Sequence, residues 1–536
     1  MTPAPRVTIA GGGVAGLTAA LRLAQRGYRV TVYEQKATLG GALASRESDH
    51  GVHLDVYPHM YCNWYRNFWR LLSDVGGDRE RLFERVEGYA QLRAGEFPTF
   101  TTVADIYSPW HILRNLLSGV GPPADLWVYG YASIDLLAET LQPTVNLDTM
   151  SVVGFLDARP YVTEAASAAY DTFITRVWGI PSSRASAADF RQYLRYSLAD
   201  PTPAFWLPRG SALRQVIEPL TAALGRAGVQ IVREVQLTHV DCGEGRVNRI
   251  GLQRAVRGAG GTWAGTGRRW TEPVEDLILA VPPPALLELV RRGGRGTPIV
   301  KLAPKLAEVA RLRTVPVPII NLFFTRKLSR IPAEPVGLFA SQYCLAFTDI
   351  SQIWDDVAVF GRETVLAVSA SDPDALPGTG PEDDAHAMLS ELARFLSFDP
   401  GSAWGESPDV DWDRTRYEPN LDAELFVNDA GSDVWRPPAD CVEIANLAFA
   451  GDQCDNDIGL TTVESAVVTG LHAAAAVVGR RGVGAPVDVI PPPGSLARDA
   501  TYLWLRYAWA PSTAAASMWS RGRDRLRWPA GQRRDS

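Results

Sequence analysis

Apolar and polar positions open this chain as a strand, a turn and a helix in quick succession. Residues 6–10 (RVTIA) are a short β-branched run of the kind that builds a buried strand. GGGVAG follows, and LTAALRLAQRG then sets Leu17, Leu21 and Ala24 at helical spacing before Gly27 closes the helix. YRVTVYE (28–34) is a second strand. Strand, glycine turn, helix and strand within about 30 residues begin a doubly wound sheet.

The pattern continues at lower density. Residues 62–130 mix aromatic helical stretches with loops, and 138–204 read as mostly helical, with breaks at Pro160, Pro181 and Pro201. A second α/β block at 208–253 holds a helix, then VQIVREVQLTHVDC and RVNRIGLQ as two strands. DLILAVP (276–282), VPVPIINLFF (315–324) and ETVLAVSAS (363–371) read as further strands, and HAMLSELARFL as a helix. Residues 445–479 repeat the opening theme of strand, irregular loop and helix, and PPPGS (491–495) is a linker. The fold class is therefore α/β. A discontinuous Rossmann-like domain takes 1–76, 205–282 and 441–482, an α+β domain takes 77–204 and 283–440, and 483–536 form a linker and helical tail.

Composition narrows the classes. The chain has 536 residues, 46% hydrophobic and 21% charged, with a formal net charge of −7. That is globular, and it lacks the basic footprint of a nucleic-acid binder. The five cysteines are scattered without a CxxC, which argues against a disulfide framework or zinc ribbon. The seven histidines form no HExxH or close pair, so no metal site is expected, and no GxSxG hydrolase elbow is present. Only four of the 53 basic residues are lysine, a skew that fits a GC-rich bacterial genome. No apolar run reaches about 18 residues and no signal peptide is visible, so a cytoplasmic protein is expected.

Gly11, Gly13 and Gly16 form G-x-G-x-x-G between strand and helix. The first permits a tight turn, the second a close backbone approach to a pyrophosphate, and the third helix–strand packing. Val14 and Ala15 lie within this turn as further cofactor contacts, and the helix N-terminus after it has free N–H groups that suit phosphate. Glu34, ending the second strand beside Gln35, stands where a carboxylate bonds ribose hydroxyls. A dinucleotide cofactor is expected.

Two further stretches favour FAD over a nicotinamide: LGGALAS (39–45), with its double glycine Gly40–Gly41 before Ala42, and LAFAGDQCDNDIGLTTVESAVVTGLHAAAA near the C-terminus. Together with HGVHLDVYPHMYCNWYRNFW, PRGSALRQVIEPLTAALGRAGVQIV and WRPP, they resemble the flavoprotein superfamily of amine oxidases and carotenoid desaturases, and most of all phytoene and zeta-carotene desaturases. The resemblance runs through about residues 6–480 and is patchy at 77–205 and 372–430. It implies non-covalently bound FAD, with Val235 at the adenine, Gly451 and Asp452 at the ribityl and pyrophosphate region, and Thr462, Val463 and Ser465 at the helix start facing the flavin. It also implies that His53 and His59 lie on the flavin side, with an active-site role for His53, for which a structural hydrogen bond is the alternative, and His59 the lesser candidate. Ala42 departs from the family, which often has a basic residue there, and Arg46 is a candidate replacement. Cys454 lies near the flavin loop, as a packed cysteine or a thioether partner.

The function implied is desaturation of a lipophilic, isoprenoid-like substrate by hydride transfer to flavin N5, with a quinone or O2 as electron acceptor. One alternative is a small-molecule flavin oxidase such as an amine oxidase. These carry a lysine near N5, which VPVPIINLFF lacks, and an aromatic cage for which Trp412, Tyr417, Phe426 and Trp435 are available. Another is a flavoprotein without net redox chemistry, such as a lipid isomerase. The clusters Asp355–Asp356 and Glu382–Asp384 read as solvated loop charge. The aromatic segments IYSPWHIL and LWVYGYASIDLL suit an apolar tunnel or an ordinary core. The tail holds eight arginines against three aspartates from residue 498 on, with Tyr502, Trp504, Tyr507 and Trp509 ahead of a helix break expected at Pro511. Arginine with tryptophan favours the headgroup zone of an anionic membrane on its cytoplasmic face; docking on the protein's own surface is the competing reading.

Overall fold

The computed structural model describes residues 4–48, 50–86, 88–95, 100–104, 109–117, 119, 121–200, 203, 205–258, 262–355, 361 and 363–527. Asp356, the start of IYSPWHIL at 106–108 and the tail arginines Arg533 and Arg534 lie outside these residues.

β1 (Arg6–Ala10), α1 (Val14–Ala24) and β2 (Arg29–Tyr33) follow the sequence reading. The double glycine leads into a hairpin of β3 (Ser45–Glu47) and β4 (His53–Asp55), then α2 (Arg66–Asp74) and β5 (Gly88–Leu92). A helical layer follows: α3 (Pro123–Ala138), α4 (Glu164–Trp178) and α5 (Ala187–Ala199). The stretch VQIVREVQLTHVDC is two strands rather than one, β6 (Gln230–Val232) and β7 (Val235–Gly243). Glu234 between them takes φ +57°, which turns the chain from one sheet into another. β7 pairs antiparallel with β8 (Arg246–Arg257), and β8 with β9 (Trp263–Pro273), a third strand that the sequence reading lacked.

β10 (Asp276–Leu279) returns to the first sheet. The chain continues with β11 (Ile319–Phe323), β12 (Val336–Leu338), β13 (Leu345–Asp349), β14 (Val365–Ala370), α6 (Pro381–Ala393) and β15 (Arg416–Glu418). β16 (Leu447–Phe449), α7 (Val463–Arg481) and α8 (Leu496–Arg527) close the chain.

The first sheet runs β6-β2-β1-β10-β16, all parallel, and draws its strands from three separated stretches of chain. β10 and β16 are fully buried and β1 and β2 largely so, because helices cover the sheet, while the edge strand β6 is only partly covered. The second sheet has seven strands, β15-β11-β14-β13-β12-β5 and the strand Phe100–Ala104 at its edge. Strand alternation divides its faces. Ile320, Leu322, Leu366 and Val368 pack with Met388, Leu389 and Leu392 of α6, while Ile319, Asn321, Ala367 and Ser369 face a cavity.

α1 is sandwiched so tightly that backbone, not side chain, sets the spacing. A Cβ on Gly11 would stand 2.0 Å from the Ala280 carbonyl oxygen, and one on Gly16 2.1 Å from the Gly11 carbonyl oxygen. Across the other side of α1, a Cβ on Gly470 of α7 would stand 2.4 Å from the Ala15 carbonyl oxygen. Glu464 at the start of α7 then accepts hydrogen bonds from the Asn67 and Phe68 N–H groups at 2.9 and 2.8 Å, supplying the cap that α2 lacks.

Contrary to the break expected at Pro511, α8 is one helix of 32 residues with Pro511 inside it. Tertiary packing overrides the proline because α8 is pinned to α3 on both sides of that residue. Arg506 pairs with Asp135 and Glu139, Trp127 Nε1 donates to Thr513 Oγ1 at 3.2 Å, and Ser520 Oγ donates to Asp125 at 2.5 Å. The proline itself lies on the exposed side of the helix.

Replacing Gly470 with Ala tests the spacing with a contrary sign. Helix propensity alone favours alanine by about 1 kcal/mol. Here overpacking against Ala15 is expected to lower unfolding stability by about 1–3 kcal/mol in urea titration.

Candidate active site

One large cavity of about 780 Å3 runs from the carboxyl ends of the parallel strands to the second sheet. Ligand crevices of doubly wound sheets lie at such strand ends. Of the sixteen cofactor residues expected from sequence, fourteen line it: Gly11, Gly13, Val14, Ala15, Glu34, Gln35, Gly40, Gly41, Ala42, Val235, Gly451, Asp452, Thr462 and Val463. Gly16 and Ser465 stand directly behind. Gly16 holds α1 against the Gly11 turn, and Ser465 is fully buried, its Oγ bonded to the Leu460 carbonyl. Lys36, Thr38, Gln236, Trp263 and Gln453 also line the cavity without having been singled out. Lys36 and Gln236 directly follow or adjoin named positions, and that adjacency was the available signal.

The cradle has the chemistry of a dinucleotide site. Gly13 and Gly40 form a parallel backbone bridge, and the nearest atom to a Cβ on Gly13 would be the Gly41 Cα at 3.8 Å. The floor is therefore bare backbone that a side chain would fill. α1 begins at Gly13 without a side-chain cap, and its first residues line the cavity, so its N-terminal N–H groups and dipole suit a pyrophosphate. Glu34 Oε2 accepts from the Gly12 N–H at 2.6 Å and Oε1 from the Lys36 N–H at 2.8 Å. Burial raises its pKa, and these backbone donors oppose that rise. Both carboxylate oxygens are thereby fixed, with lone pairs left for ribose hydroxyls. The residues fit FAD at this end.

Asp452 ends the turn after β16. Burial pushes its carboxyl up to about 6, and buried Arg436 opposes the rise. Gly451 N–H donates to Thr469 Oγ1 at 3.0 Å, tying this turn to α7. The loop beyond is organised by Asn456, whose Oδ1 accepts from the Ile458 N–H at 2.9 Å and whose Nδ2 donates to the Cys454 carbonyl at 2.8 Å. Cys454 is fully buried and does not line the cavity, which leaves it in the packed role.

The far end of the cavity is apolar and aromatic. Phe173, Trp178 and Tyr193 of the helical layer face Ile319, Phe347 and Trp354 across it. The segment 126–137 forms α3 and supplies no cavity residue; its Val128, Tyr131, Leu136 and Leu137 are core. β11 presents Asn321 to the cavity, and the only lysine among the described lining residues is Lys36, whose Nζ donates to the Asp422 carbonyl at 2.6 Å.

Several expectations are corrected. His53 is not among the cavity-lining residues. The β3–β4 register pairs it with Glu47, at the end of the hairpin away from the cavity, while Asp55 and His59 do line it. Arg46 does not replace the missing basic residue after the double glycine; it is held by Glu418 and by Asp422 at 2.5 Å. Of the four aromatics considered for a cage, only Phe426 lines the cavity. Trp412 and Tyr417 pack with Trp404, and Arg311 sits over the Trp435 ring.

Asp55 Oδ1 accepts from Ser45 Oγ at 2.7 Å and from the Ala212 N–H at 2.8 Å. Enclosure away from bulk water pushes its carboxyl up to about 7, against these two bonds. His59 Nδ1 lies 2.8 Å from the Tyr57 carbonyl. A carbonyl only accepts, so Nδ1 carries the hydrogen and Nε2 keeps its lone pair. Burial pushes this imidazole down to about 4, so it is neutral at pH 7. Among the described residues no cluster of His, Cys, Asp or Glu is arranged to hold a metal ion. Glu382, Asp383 and Asp384 lie in the first turn of α6 rather than in a loop, where Asp383 accepts from Thr379 Oγ1 and Asp384 from the Gly378 N–H.

This arrangement of dinucleotide cradle and apolar chamber belongs to a flavin-dependent oxidoreductase. Residues 14–478 match the model of the family described as flavin containing amine oxidoreductase, and the chain belongs to that family. It is 27% identical over 502 residues to a carotenoid phi-ring synthase of Streptomyces griseus, covering 90% of this chain and 89% of that one. It is 28% identical over 116 residues to a zeta-carotene desaturase of Solanum lycopersicum, and there spans only 20% of the relative's length. A putrescine oxidase solved with putrescine bound shares the fold at a TM-score of 0.59 and 18% identity, covering 89% of this chain and 100% of that one.

Asp55 sets a pH dependence. Its folded carboxyl titrates near 7 and its ordinary value is 3.8, so the native state holds a proton that the unfolded chain releases across that window. Stability therefore falls as pH rises through it. Asp55→Asn is expected to lose about 1–3 kcal/mol less than wild type between about pH 4 and about pH 8 in urea titrations.

Proposed function

We propose that the protein is an FAD-dependent dehydrogenase that introduces a double bond into an elongated, lipophilic, isoprenoid-like substrate. The observation that carries this reading is the continuity of one cavity, with the dinucleotide cradle at one end and the aromatic chamber at the other. Two features support a hydrocarbon over an amine. Asn321 stands on the strand where the lysine of amine oxidases is expected, and the four-aromatic cage does not assemble. The near full-length similarity to a carotenoid phi-ring synthase points to the same substrate class.

FAD, held non-covalently, would supply the two-electron acceptor and take hydride at N5, with a quinone or O2 accepting the electrons in turn. The chain's own part is orientation, exclusion of water and proton handling. Gly11–Ala15, Glu34 and Asp452 hold the cofactor, and the aromatic walls align the substrate and keep the chamber dry. A carbon next to the oxidised centre must lose a proton. Asp55, with one oxygen anchored and a carboxyl that titrates near neutrality, is the group placed to receive it.

Anaerobic mixing of the FAD-loaded protein with a carotenoid, and separately with putrescine, tests the reading. The carotenoid is expected to bleach the flavin band near ~450 nm and to yield a product two hydrogens poorer. Putrescine is expected to leave the band unchanged. Bleaching by the amine alone, or carotenoid turnover without bleaching, would replace this reading with an oxidase or a non-redox isomerase.

A further inference from the structure

α8 is amphipathic in the inverted sense. The residues it buries are polar and recur every seven positions: Asp499, Arg506, Thr513 and Ser520, joined by Ser517. Asp499 pairs with Arg195 at 2.8 Å, and Arg523 with Asp125 at 2.8 Å. The opposite stripe, at helical spacing, reads Leu496, Ala500, Trp504, Tyr507, Pro511, Ala515, Met518 and Gly522, and all eight are exposed. Trp504 is 64% exposed, Met518 70%, and the neighbouring Trp519 72%. At 1.5 Å per residue this ridge runs about 39 Å. A surface helix normally turns such residues inward. Here α3 already satisfies the polar side, so the apolar side is left outward.

The ridge carries no carboxylate. Arg521, exposed at the edge of this stripe, gives its guanidinium hydrogens to the Pro160 and Val162 carbonyls, and among the described residues it forms no ion pair. This uncharged aromatic ridge, with a cation at its edge, belongs to a chain whose net charge is −7. A long ridge of Trp, Tyr and Met with Arg521 at its edge matches the headgroup layer of a bilayer. There the indole and phenol rings sit at the interface, and each arginine gains about 1 kcal/mol from anionic lipid. Among the described residues no helix is long and apolar enough to cross a membrane, so the contact is one of lying on the surface.

We propose that the outward face of α8 seats the protein on anionic lipid bilayers, with Trp504 and Trp519 as anchors. The two competing readings of the tail, own-surface docking and membrane contact, thus describe opposite faces of one helix. The inference is independent of the substrate reading.

The test is co-sedimentation of the FAD-loaded full chain with phosphatidylcholine vesicles, with and without about a third phosphatidylglycerol, near 0.1 M salt. Binding is expected to need the anionic lipid and to weaken as salt rises. The double substitution Trp504→Ser, Trp519→Ser is expected to lower partitioning about tenfold or more while flavin content and thermal midpoint stay unchanged. Failure of wild type to bind, or binding that the double variant retains, would overturn the proposal. So would a concentration-dependent dimer in sedimentation velocity that the variant abolishes, because the face would then be covered by a second copy.

Discussion

The closeness of backbone to backbone around the first turn of α1 is the constraint on which the rest of the structure depends. Gly11 touches the Ala280 carbonyl, Gly16 the Gly11 carbonyl, and Gly470 the Ala15 carbonyl. These contacts lock the parallel sheet, α1 and α7 into one stack, at spacings that no side chain permits. The stack has two consequences. It leaves the N-terminus of α1 uncapped at the cavity, and it brings Glu34 from β2 and Asp452 from β16 to the same rim. Charge placement around the cradle is thus a result of packing.

The same economy of contacts governs the second sheet. Alternation along β11 and β14 gives one face to the core with α6 and the other to the cavity, so a single sheet serves as both foundation and chamber wall. The helical layer closes the chamber with Phe173, Trp178 and Tyr193 and is braced from outside by α8. Arg506, shared by Asp135 and Glu139, makes the most deeply buried ion pairs among those braces, and removing one partner would leave charge buried.

Much of this was legible in the sequence, for reasons that particular residues make plain. Glycines at fixed offsets between a strand and a helix have few alternative explanations, so the cradle was read almost residue by residue. His53 was misplaced because a motif fixes an order of residues but not which end of a hairpin meets the cavity: His53 and Asp55 share a face, and only Asp55 lies at the end that does. Asp55 was obscured because nothing local marks it, whereas His59, which the resemblance puts on the flavin side, lines the cavity. The shifted acidities of both arise from enclosure by segments far away in the chain. Pro511 was read as a break because local rules count the lost N–H and ring clash, while the contacts made by Arg506, Thr513 and Ser520 with α3 are tertiary. Glu234, with its positive φ, hid the switch between two sheets in what looked like one long strand.

The central claim is that the stack around α1 is an FAD cradle opening onto a substrate chamber. A crystal structure of the FAD-loaded protein tests it most directly. The account predicts the pyrophosphate on the N–H groups that open α1, the adenosine ribose on Glu34, and the flavin ring directed toward the aromatic chamber. A flavin seated elsewhere, or a protein that takes up no FAD when supplied in excess, would contradict it.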